Sequence, residues 1–148
     1  MSVDMYFTVK LYLEDKRKDA VLTIPENEDG RKAMSIPLSF VPSITLRIGQ
    51  LCNAFQIHWW LVDNAFDGSE DFPQGMDGYT LGQLKEVCEK VLRSRELADT
   101  LLPFVRGENV GPYLEWYFQD LRDTVDIIDR MLDIEGRYGG RMYYSTIW

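Results

Sequence analysis

An α+β fold is predicted by three features of the sequence: a strictly alternating stretch near the N-terminus, blocks of helical periodicity through the middle, and a return to alternation over the last residues. With 148 residues, 45% hydrophobic and 13% aromatic, one sizeable core is within reach and two are not. The expected organisation is a single domain over 1–148. A β-hairpin and irregular connection fill 1–45, a helical part runs over 46–136, and a closing strand occupies 137–148. About three main helices then pack on a small antiparallel sheet made from the hairpin and the closing strand.

Residues 5–13 place Met5, Phe7, Val9, Leu11 and Leu13 on one side and Tyr6, Thr8, Lys10 and Tyr12 on the other, the period of a half-buried strand. The charged run Glu14 to Asp19 reads as a turn, and Ala20 to Ile24 as a strand pairing back in a hairpin. Pro25, Pro37 and Pro42 make 25–43 an irregular connection or a weak edge strand. From about Leu46 to Phe66 the spacing of Leu51, Ala54, Phe55, His58, Val62 and Ala65 predicts a first helix.

Gly68, Pro73, Gly75 and Gly78 among acids make 67–78 a surface loop. Thr80 with Gln83 forms a capping-box signature for a second helix to about Arg93, burying Leu81, Leu84, Cys88 and Val91. Ser94 caps a short continuation that stops before Pro103. A third helix is expected from Gly111-Pro112 to Gly136, its core stripe being Leu114, Tyr117, Phe118, Leu121, Val125, Ile128 and Leu132. Beyond Gly139-Gly140, Arg141 to Trp148 alternates as a strand does.

Charge narrows the function classes. The chain has 16 Lys and Arg against 24 Asp and Glu, a net charge of -8, which repels phosphate backbones and polybasic membrane contacts alike. No direct nucleic-acid partner and no membrane are expected. Met1-Ser2-Val3-Asp4 lacks a basic region followed by an apolar one, and no stretch approaches the length of a spanning helix, so neither export nor anchoring is expected. Cys52 and Cys88 each fall within a predicted helix and read as reduced thiols in a cytoplasm.

Specific chemistry is sparse. The sequence carries no phosphate loop, Cys-x-x-Cys pair, His-Glu-x-x-His or Gly-x-Ser-x-Gly elbow. No cofactor or metal site is expected. His58, the only histidine, sits within the first helix's apolar arc and reads as a core residue bonded to backbone or to a tyrosine. The loop from Asp63 to Asp71 partly mimics a calcium loop, but Ala65 occupies the third ligand place and Gln74 replaces the closing glutamate, so a solvated acidic loop is expected.

Away from the core arcs the residues say more. Asn53, Gln56, Trp60 and Asn64, with Asp63 at the margin, share the outer side of the first helix. On the third, Trp116, Asp120, Asp123 and Ile127 form an acidic-aromatic seam, which Glu115, Asp126 and Asp133 extend. Large apolar groups rimmed by acids mark an interaction surface unless other elements cover the tryptophans.

The stretch Asn53-Ala54-Phe55-Gln56-Ile57-His58-Trp59-Trp60-Leu61-Val62-Asp63-Asn64 and the Asp67-Gly68 pair resemble a family of small uncharacterised proteins of tailed bacteriophages and prophages. Its shared pattern includes Asn-Ala-x-x-Ile-His-x-Trp-x-Val-Asp-Asn, then a leucine-rich helix and a Leu-Leu-Pro turn, here Leu84 to Leu92 and Leu101-Leu102-Pro103. The resemblance continues through Glu115 to Leu121 and Tyr143 to Trp148, covering about 46–148. Family members often carry a Trp-Arg-Lys lead-in that here reads Thr45 to Gln50. The family has no assigned activity, so the resemblance implies a phage setting and no reaction.

The expectation is a non-enzymatic phage accessory protein that binds a host factor, defence factors included, and inhibits or redirects it through the acidic-aromatic surface. Its partner is a host or phage protein. The alternative is a small-ligand or nucleotide sponge in which Trp60 stacks a base while Asn53, Gln56 and Asn64 read its edges. The third reading is a metal-assisted hydrolase using His58 with Asp63 or Asp67. Asp63, however, lies about 140° round the helix from His58, too far to pair directly.

Overall fold

The structure is a computed structural model describing residues 2–13 and 21–148. The expected turn at Glu14 to Asp19, and Ala20, lie outside the described residues. The strand expected near the N-terminus forms as β1 (Asp4–Tyr12), with Met5, Phe7 and Val9 fully buried on one face. The closing strand joins it in the sheet as expected, but the other partner differs. Instead of pairing with the next segment, β1 lies between β4 (Ser43–Cys52) and β6 (Arg141–Ile147). With β5 (Gln74–Met76) they form an antiparallel sheet of order β4-β1-β6-β5. The segments β2 (Val21–Ile24) and β3 (Met34–Pro37) pair with each other in a separate ribbon.

The second correction concerns 46–52, read as the start of a helix and found in β4. Ile44, Leu46 and Ile48 are half-buried while Thr45 and Arg47 are exposed, a period of two that the strong helical spacing further on obscures. Asn53, at φ +58, turns the chain between strand and helix, and its side chain accepts a hydrogen bond from the Val3 amide at 2.9 Å. The helix α1 therefore spans only Phe55–Asn64. Cys52 accordingly ends a strand, its thiol donating to Asp4 at 2.9 Å.

The described residues hold four helices. α2 (Gly78–Arg93) buries Leu81, Leu84, Cys88 and Val91 as the spacing predicts. Its cap is one turn earlier than Thr80: Asp77 accepts from the Thr80 amide at 2.7 Å, which holds the Asp77 carboxyl below its usual range. A 3₁₀ turn at Arg95–Leu97 leads into the single turn α3 (Ala98–Leu101). α4 (Glu115–Tyr138) begins later than expected, because Asp99 accepts from the Val110 and Gly111 amides and from the Tyr113 hydroxyl, holding that stretch as a loop. It runs through Gly136 and stops at Gly139, whose φ is +70.

The core stripe of α4 is rotated from the predicted one. Leu114 precedes the helix and is exposed, Val125 and Leu132 are half-buried, and Thr124, Ile127 and Met131 are buried instead. α4 packs against both α2 and the β4–β1 side of the sheet, so its buried arc is wider than one seam. Ile127 reaches the sheet directly over Gly49, where a Cβ would overlap its side chain. Close approach of α4 to β4 thus requires glycine at that position.

Candidate functional site

α1 is the element on which both predicted surfaces depend. Its inner side delivers Ile57, His58, Leu61 and Val62 to the core. His58 is fully buried, and its Nδ1 shares a hydrogen bond with the Tyr144 hydroxyl at 3.0 Å. Burial lowers the His58 pKa, with Glu70 opposing it to a lesser degree, and raises that of the tyrosine hydroxyl. The histidine's partner is thus a tyrosine on β6. Asp63 is instead paired with Arg106, whose guanidinium lies 5.7 Å from the Trp59 ring centroid. Among the described residues no three His, Cys, Asp or Glu side chains converge as metal ligands, in the calcium-like loop or elsewhere.

The remaining predicted residues fall into three settings. Asn53 and Asn64 are exposed, but each is engaged locally: Asn53 through Val3, and Asn64 by donating to the Trp60 carbonyl at 2.8 Å. Trp60 is half-buried against the core. Gln56 and Asp120, assigned to separate faces by the sequence, are brought together: the buried Gln56 amide donates to the Asp120 carboxylate at 3.2 Å. Burial raises the Asp120 pKa, and the hydrogen bond from Gln56 partly offsets it. Asp123 stays exposed and accepts from Gln119 at 2.8 Å. Ile127, placed in the same seam by spacing, is only 4% exposed and belongs to the core.

Trp116 is 48% exposed and belongs to a continuous run of rings. It meets Phe104 edge-on at 5.2 Å, Phe104 meets Phe55 at 5.5 Å, and Phe55 meets Trp148 at 6.4 Å. Trp148 then packs on His58 at 5.5 Å, and His58 on Trp59 at 4.6 Å. Leu114, Val105 and Val110 add exposed apolar surface from the segment around Trp116. Trp59, Glu70, Phe104 and Trp148 were not marked as site residues in the sequence, and Phe55 was placed there in the arc of the first helix. One signal was there: Phe55 and Trp59 are four apart, the spacing that stacks side chains on one helix face. Nothing local connects them with Phe104 or Trp148, which the fold supplies.

No family model, no curated protein and no solved structure matches the chain. Among the described residues no helix is long and apolar enough to cross a membrane. What the surface offers is π faces, aliphatic groups and carboxylates.

Proposed function

We propose that this protein works by binding another protein through the surface running from Trp116 across Phe104 and Phe55 to Trp148, with Asp120 and Asp123 on its margin. The observation that carries this reading is the exposure of two large rings on one continuous aromatic run, Trp116 at 48% and Trp148 at 51%. Exposed aromatic area of this kind, bordered by carboxylates, is characteristic of the centre and rim of protein interfaces. The acidic margin favours a partner whose contacting face is basic. The phage resemblance adds a setting: an accessory protein that captures a host factor and inhibits or redirects it in the host cytoplasm.

The nucleotide-sponge alternative has less support. The groups that were to read a base, Asn53, Gln56 and Asn64, already hold Val3, Asp120 and the α1 backbone. The metal-assisted hydrolase has less again, since His58 is buried on Tyr144 and Asp63 holds Arg106.

Affinity capture from bacterial lysate, run with the native chain and with a Trp116→Ala/Asp123→Ala variant, tests the main reading. The native chain is expected to retain a stoichiometric protein that the variant loses, at unchanged circular dichroism. Equal retention by the folded variant would remove this surface from consideration.

A further inference from the structure

At the Trp148 end of that partner surface, the rings border a shallow, open cleft. Phe55, Trp59, Glu70 and Trp148 line a space of about 560 Å³ that stays open to solvent. Three of the four lining residues are aromatic, and the fourth is a carboxylate with no ion pair among the described residues. Phe55 and Trp59 come from one face of α1, Trp148 follows β6, and Glu70 stands on the loop after α1. Loop, helix and sheet thus converge on one point.

The lining selects its ligand by charge and by donor count. Aromatic faces carry negative quadrupole potential and attract cations, and a carboxylate adds a full negative charge on the same cleft. The nearest fixed cation, Arg106 over Trp59, is neutralised by Asp63. His58, packed edge-on against both indoles, is held neutral by burial and opposes no incoming positive charge. Among organic cations, guanidinium brings five N–H donors and a primary ammonium three, whereas Glu70 is the one polar residue lining the cleft. A quaternary ammonium has no N–H to leave unpaired, so it loses least on entering an aromatic lining.

We infer that the Phe55–Trp59–Glu70–Trp148 cleft is a binding site for a free small quaternary ammonium compound, its alkylated nitrogen between the two indoles and against the Glu70 carboxylate. The site is separate from the Trp116 end of the surface.

Titration of the full chain with choline, followed by the indole N–H resonances of its tryptophans, tests the assignment. Saturable shifts are expected at Trp59 and Trp148, with a Kd on the order of 1 mM, ordinary for so small a ligand. The neutral carbon analogue 3,3-dimethyl-1-butanol should bind at least about tenfold more weakly, since it has the same shape without the charge. Glu70→Gln, an exposed change, should weaken choline severalfold, and Trp148→Ala should remove the shifts at Trp59. Trp116→Ala/Asp123→Ala should leave them intact, which separates this site from the Trp116 end of the partner surface.

Equal binding of the carbon analogue would overturn the inference by reducing the cleft to a greasy groove. Tighter binding of an arginine side-chain analogue would overturn the quaternary assignment. Binding of a trimethyllysine peptide at least tenfold tighter than choline would replace the free ligand with a modified protein chain. No shift at either indole up to 50-fold above the expected Kd would eliminate the site.

Discussion

The inward cluster of Phe7, Phe66, Phe72 and Tyr144 and the outward run of Phe55, Phe104, Trp116 and Trp148 are built from the same kinds of side chain at similar separations. Ring centroids lie 5.2–5.8 Å apart in the first and 5.2–6.4 Å apart in the second. Burial divides their extremes, while Phe72, Phe55 and Phe104 are half-buried alike. Phe7 and Tyr144 are at 0% exposure and Phe66 at 4%, against 48% for Trp116 and 51% for Trp148. Ring-on-ring packing is therefore no marker of a core. Around Phe7, Phe66 and Tyr144 the rings are covered and the contact stabilises the fold; at Trp116 and Trp148 much of the ring stays open to solvent.

Truncation should separate the two groups most sharply. Phe7→Ala, at the centre of β1, is expected to lower unfolding stability by about 3–5 kcal/mol, through lost transfer energy and an unfilled cavity. Trp116→Ala should lower it by no more than about 1 kcal/mol, because half of the indole is already in water. Urea midpoints at constant slope measure both. Equal losses would mean that the outer run belongs to the core after all, and would undermine its reading as a surface.

The next largest effect lies where α4, which carries Trp116 near its start, is pressed on the sheet. Gly49→Ala places a methyl group against Ile127 and should cost about 1–3 kcal/mol as overpacking. Ile127→Ala in the same chain vacates that space, so the pair of changes should cost less than the sum of the two alone. Strict additivity would show that Gly49 is not what sets the depth of α4.

The inward cluster was more legible in the sequence than the outward run, for physical reasons. Alternation in β1 identified Met5, Phe7 and Val9 because a half-buried strand must alternate. The spacing in α2 identified Leu81, Leu84, Cys88 and Val91 because that helix buries a single seam. The same method failed for Ile127 because α4 is covered on two sides, and for 46–52 because the alternation over 44–48 is short and strong helical spacing follows within a few residues. Strand order was invisible too: β1 reaches across to β4 and β6, and no short-range signal specifies that. Of the candidate site, the exposed Trp116 and its acidic neighbours could be read from one helix. The ring run could not, since Phe55, Phe104 and Trp148 meet only in the folded chain.

His58 stands where the two groups touch, sharing a hydrogen bond with Tyr144 on one side and packing on Trp148 and Trp59 on the other. Burial depresses its pKa from the ordinary 6.5, so the native state refuses a proton that the unfolded chain accepts. The stability tied to neutral His58 is complete above pH 6.5 and is lost as pH falls below that value, at no more than about 1.4 kcal/mol per pH unit for one proton. Asp120 acts with the opposite sign. Its carboxyl is raised by burial from 3.8, so its contribution is present at low pH and is lost as pH rises through the native value. Unfolding measured from pH 7 downward should therefore show a slope just below 6.5 that flattens in His58→Gln. The same slope in that variant would place the titration elsewhere, and His58 would then be a spacer between the two clusters and not the group whose charge state holds them together.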